Sequence, residues 1–130
     1  MKKFGFGLMR LPLLDETDTK SVDIETVKTM ADAFLAAGFS YFDTAACYHD
    51  GQSEVAFREA VVKRYPRENF TITDKLTMFM LEKPEEMPGF FAGQLERLGV
   101  ATSITTGCTG WIHRPTKKQR LSAHLILCKS

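Results

Sequence analysis

The feature that most limits how this chain can fold is a threefold alternation of strand-like and helix-like apolar patterns. Phe4-Gly5-Phe6-Gly7-Leu8-Met9 reads as a short strand, with glycines where another backbone or a ligand comes close. Ile24, Val27, Ala31, Phe34 and Leu35 then recur at helical spacing behind a cap at Ser21 or Asp23, and Gly38 follows as a left-handed stop. Phe39–Phe42, bounded by Gly38 and Asp43, predicts a buried strand. Ser53 is expected to cap a second helix. Glu54 suits its first turn through the helix dipole, and Val55, Ala56, Ala60 and Val61 form its inner face. Phe70–Leu76 alternates and is rich in β-formers, so it predicts a third strand. Pro84-Glu85-Glu86 opens a third helix, with Phe91, Leu95 and Leu98 as its apolar side and Gly99 as its stop. Strand–helix units of about 30 residues imply parallel strands with right-handed crossovers. The fold class is α/β, as a barrel or a doubly wound sheet.

At 130 residues, with 44% hydrophobic and 25% charged, the chain fits one ordinary globular domain. No apolar run approaches the roughly 20 residues of a membrane span, so no membrane partner is expected. Lys2 and Lys3 precede an apolar stretch, but Arg10 and Pro12 break it, and a cytoplasmic location is expected. Three cysteines without regular spacing make no disulfide framework. The charge is uneven. All 16 acids lie in residues 1–100, whereas residues 101–130 carry Arg114, Lys117, Lys118, Arg120 and Lys129 and no acid.

Chemistry in α/β proteins gathers at the carboxyl ends of strands. Asp43 follows the second apolar run, Tyr48 lies five residues later, and Lys75 ends the third strand pattern. An ammonium beside a phenol favours the phenolate, and a carboxylate beside the ammonium keeps it charged. Together they would let a tyrosine with a reference pKa of about 10 give up a proton near neutral pH. A lone Asp, Tyr or Lys at a strand end is also commonly a cap, a rim aromatic or a surface charge, and spacing alone leaves both readings open.

Phe42-Asp43-Thr44-Ala45-x-x-Tyr48-x-x-Gly51-x-Ser53-Glu54 resembles the signature of the aldo-keto reductases. Ala37-Gly38-Phe39, Thr73-Asp74-Lys75-Leu76 and Gln94-Leu95-Glu96-Arg97-Leu98-Gly99-Val100 match in order and spacing. The resemblance covers residues 4–100. It implies a (β/α)8 TIM barrel and reduction of a small-molecule aldehyde or ketone with NADPH. Tyr48 would be the proton donor, Lys75 its partner and Asp43 the partner of Lys75. Gly7, Leu8, Met9 and Asp43 would lie near the nicotinamide.

After Val100 the family pattern stops, and the histidine that the family carries at the end of its fourth strand is missing. Residues 1–100 are expected to supply three strand–helix units of an incomplete barrel, and residues 101–130 a basic, poorly structured tail. A barrel of this type takes about 250 residues, so the chain reads as truncated and inactive alone. A strand edge left open predicts self-association. A reading-frame shift would account for the change. Ala101–Ile112, back-translated with suitable codons and read from the third base, gives Asp-Phe-Asp-Tyr-Tyr-Trp-Leu-His-Gly-Leu-Asp, the missing strand and histidine. The tail admits two other readings. Cys108, His113, His124 and Cys128 are zinc-ligand types, but their spacing fits no compact finger, and no metal site is expected. Arg114–Arg120 is basic but lacks interleaved aromatics, and no nucleic-acid partner is expected. A non-catalytic interaction fragment is the alternative to a reductase.

Overall fold

Local chemistry sets the first helix. The Asp23 carboxylate accepts the Thr26 N–H at 3.1 Å and caps α1 (Ile24–Ala36). Gly38, at φ 82°, turns the chain out of it, a left-handed conformation that suits a residue without Cβ. In the computed structural model, which describes residues 3–101 and 105–109, α1 connects β1 (Gly5–Gly7) to β2 (Tyr41–Ala45). The helix α2 (Gln52–Phe57), continued by a π-helical stretch over Arg58–Val62, leads to β3 (Thr71–Thr77). The helix α3 (Met87–Leu98) leads to β4 (Thr105–Thr109). The strands form one sheet in the order β1-β2-β3-β4, all parallel, as alternating strand and helix patterns require.

The expected elements are present with shifted ends. β2 runs to Ala45, because Phe39 turns back onto Phe34, with rings 5.2 Å apart, and leaves Tyr41 to start the pairing. Asp43 therefore lies inside the strand, level with Gly7 on one side and Thr73 on the other. Ser53 does not cap α2. Gly51, at φ 86°, takes that position, and the Ser53 hydroxyl donates to the Leu8 carbonyl at 2.9 Å. Thr44 in turn donates to Ser53 at 2.7 Å, since the Ser53 proton is already used. The tail expected to lack structure begins with a fourth strand. Thr105, Thr106 and Thr109 are β-branched, and β3 offers an edge to pair with. The basic run Arg114–Arg120 and the zinc-type residues His113, His124 and Cys128 lie outside the described residues.

The core lies between the sheet and its helices. Phe34 is its hub, with ring centroids 5.4 Å from Phe6 and 5.1 Å from Phe42, and Phe57 links Phe42 to Phe70. Each such ring removes on the order of 150–250 Å² from water, the main force holding helices to sheet. Phe57 replaces Val55 on the buried face of α2, and Met87, Gln94 and Leu98 form the buried side of α3. Strand periodicity sends Phe42 and Ile72 into this layer. It leaves Tyr41, Asp43, Thr73 and Lys75 on the opposite face.

Candidate active site

The face away from the helices carries the polar residues. Asp43 and Lys75 sit on neighbouring strands, one pair out of register, since Asp43 is level with Thr73 and Lys75 with Ala45. Beyond β2 the chain turns through a 3-10 stretch, Tyr48–Gly51, in which His49 and Asp50 take positive φ values. This turn brings Tyr48 back over the sheet. The Lys75 ammonium donates to the Tyr48 phenol oxygen at 2.9 Å and also to Asp43 Oδ2 in a short ion pair. Below them Tyr41 and Thr73 share a hydroxyl–hydroxyl bond of 2.8 Å.

The lysine is partly withdrawn from water, with its side chain 20% exposed. Burial alone pulls its pKa down. The bonds to Asp43 and Tyr48 outweigh that and leave it raised, so Lys75 is a firm cation. Cys47, one residue before Tyr48, is pushed the other way: burial raises its thiol and keeps it protonated.

Asp43, Tyr48 and Lys75 are thus brought into direct contact. The three residues after the first strand pattern divide. A Cβ on Gly7 would meet no described atom within 4 Å, so the space beside Asp43 is open to a flat ligand. Met9 is 58% exposed, whereas the Leu8 side chain is buried in the core, and the Leu8 N–H donates to the Asp43 carbonyl at 2.9 Å. Gly7 and Met9 are thus accessible, whereas Leu8 offers only its backbone.

A second polar group lies behind β3, on the helix side. Glu54, 0% exposed, pairs with Arg97 of α3. Asp74, adjacent to Lys75 in sequence, is buried beside Glu54, and neither of its carboxyl oxygens makes a hydrogen bond among the described residues. Burial first, and the Glu54 charge second, push its pKa up to about 9 against the weaker pull of Arg97, so it is a neutral acid at pH 7. Gln94 Nε2 donates to the Lys75 carbonyl at 3.0 Å and fixes the strand end from behind. Sequence reading assigned Glu54 only to the helix dipole and gave Gln94 and His49 no role. Gln94 at the seventh position after Met87 was the one available signal, a polar residue on an otherwise apolar helix stripe.

A family model described as Aldo/keto reductase family matches residues 3–108. Among solved structures, an aldo-keto reductase from Klebsiella pneumoniae in complex with NADPH superposes with a TM-score of 0.75 at 17% identity, covering 96% of this chain and 41% of that one. A holo-form aldo-keto reductase from Bacillus halodurans gives 0.76 at 20% identity, with 98% and 42% covered. An aldose reductase from Giardia lamblia gives 0.66 at 17% identity, with 97% and 46% covered. The architecture is therefore the N-terminal part of a (β/α)8 barrel, and the chain spans less than half the length of these structures. No curated protein sequence matches the chain at a significant level.

Proposed function

Since this chain belongs to the aldo/keto reductase family, we propose that its rim site donates the proton in the NADPH-dependent reduction of a small aldehyde or ketone. The observation that carries this reading is the single Lys75 ammonium bonded at once to the Tyr48 phenol and the Asp43 carboxylate. The cofactor, when bound, supplies a hydride to the carbonyl carbon. Gly7, Met9 and Asp43 would hold its nicotinamide end, where the sheet leaves open space. The Tyr48 hydroxyl protonates the carbonyl oxygen. Lys75 stabilises the negative charge left on the phenol oxygen, and Asp43 keeps Lys75 charged and in place. The open edge of β1, which pairs only with β2 among the described residues, supports self-association.

The experiment is consumption of NADPH with a generic aldehyde, by this chain and by its Tyr48→Phe variant. Turnover that disappears in the variant supports the assignment, and equal turnover in both overturns it. A second reading, an interaction fragment without turnover, draws support from the chain's span of 41–46% of the compared structures. Absence of both NADPH binding and turnover in the isolated chain would favour it. Among the described residues no helix is long and apolar enough to cross a membrane, and no cluster of three or more His, Cys, Asp or Glu could hold a metal ion.

A further inference from the structure

The residue after Tyr48 is committed on both sides of its ring. His49 Nε2 lies 3.1 Å from the Leu11 backbone N, and Nδ1 lies 2.8 Å from the Thr19 carbonyl oxygen. A backbone N–H can only donate and a carbonyl can only accept. Nδ1 must therefore carry the proton and Nε2 must be bare, which is one tautomer of the neutral imidazole. Reaching these partners needs the left-handed backbone at His49 and Asp50, with φ 50° and 51°, a conformation that residues with a Cβ seldom adopt unless contacts hold it.

Both partners belong to the segment between β1 and α1. That segment closes mainly on itself, through the antiparallel bridge of Leu13 with Val22, the Leu14 N–H to the Ser21 carbonyl at 2.7 Å and the Asp23 N–H to the Pro12 carbonyl at 2.9 Å. Its other polar tie to the Tyr48 turn among the described residues is the Lys20–Asp50 pair at 3.9 Å, with both side chains well exposed and readily screened.

We propose that His49 is a positioning residue that clamps the β1–α1 segment onto the turn carrying Tyr48, with Nε2 accepting from the Leu11 N–H and Nδ1 donating to the Thr19 carbonyl. The charged groups on the two elements that meet here are Arg10, Asp15, Glu16, Asp18, Lys20 and Asp23 on the segment and Asp50 on the turn. Asp50 is engaged by Lys20, and Asp18 accepts the Lys20 N–H. The clamp itself stands on the geometry; its importance for proton donation rests on the reading of Tyr48 given above.

The test is backbone amide exchange in the full chain, corrected for intrinsic rates, with the Phe42 amide as internal reference. The Leu11 amide should be protected in the native chain and in His49→Gln, whose amide can both accept and donate. In His49→Ala its protection relative to Phe42 should fall about tenfold. Full Leu11 protection in His49→Ala overturns the clamp. If His49→Ala does not fold, His49→Phe, which fills the space but accepts no such bond, takes its place with the same expected loss. For positioning, kcat of carbonyl reduction should drop about tenfold in His49→Ala and recover in His49→Gln. Unchanged kcat with a lost clamp overturns that role. Absence of turnover in every form counts against the reductase reading, and the exchange data still decide the clamp.

Discussion

Asp74 and Lys75 are consecutive residues of β3, yet they serve two unlike polar networks. On the rim side, Lys75, Asp43 and Tyr48 are partly exposed and every one has a charged or hydroxyl partner. On the helix side, Asp74 lies buried among Glu54, Gln94 and Arg97, next to a carboxylate already paired with the arginine. The rim keeps its charges because opposite charges touch. The buried group keeps one ion pair and answers the remaining acid by protonating it, since a second buried carboxylate has nothing to offset its desolvation. Two neighbouring ionisable residues thus both hold their protons, with different results: the lysine keeps its usual charge, whereas the aspartate becomes neutral.

The sharpest way to break this contrast is on the rim. If Tyr48 is the proton donor, Tyr48→Phe should slow NADPH-dependent aldehyde reduction by about a hundredfold to ten-thousandfold, with little change in unfolding midpoint. An unchanged rate would reduce the rim to a structural network like the one behind it. The next largest effect is expected in the buried network. Arg97→Met leaves Glu54 charged and alone at 0% exposure, and chemical denaturation should show a loss of about 3–5 kcal/mol. The surface pair Lys63–Glu59 gives the control, since Lys63→Met should leave the denaturation midpoint essentially unchanged.

Asp74 sharpens the comparison through pH. Its folded pKa, about 9, stands above its ordinary value of 3.8. Its contribution to stability is then complete below about pH 4 and is lost progressively as pH rises toward 9. Asp74→Asn cannot titrate. The variant should match the native chain near pH 4, exceed it by a margin that grows by about 1.4 kcal/mol per pH unit toward pH 8, and show a flatter stability profile between them. Parallel profiles for the two proteins would show Asp74 to be ionised in the fold. A smaller effect belongs to the floor of the rim. Tyr41→Phe removes the hydroxyl bond to Thr73, and thermal or denaturant unfolding should register about 1 kcal/mol.

Much of this was legible in the residues. The 3.6 period of Val27, Ala31 and Phe34 located α1, and the positive φ values at Gly38 and Gly99 fall where helix stops were expected. The Asp43–Tyr48–Lys75 contact was anticipated from strand ends and from the motif around them. The misreadings share a cause. Ser53 looked like a cap and Glu54 like a first-turn acid because both types favour helix starts, but the approach of Leu8 and Arg97 from distant segments gave them other partners. Val55 was placed inside for its type, and Phe57 took the position because the ring fills the space between Phe42 and Phe70. The fourth strand went unforeseen because its pattern is threonine rather than apolar, and the edge of β3 completes it.

Alternation along β3 fixes, from sequence alone, that Asp74 and Lys75 point to opposite faces, since successive side chains of any strand must do so. It likewise fixes the order of strands and helices, through periodicities that need only neighbours in the chain. What those faces contain is decided by tertiary structure. Glu54 and Arg97 stand 43 positions apart and Leu11 and His49 38, and only the folded chain brings each pair within bonding distance. Protonation depends on burial and on the charges within a few ångströms. The cationic Lys75, the neutral Asp74 and the single tautomer of His49 are therefore properties of the assembled sheet and its loops.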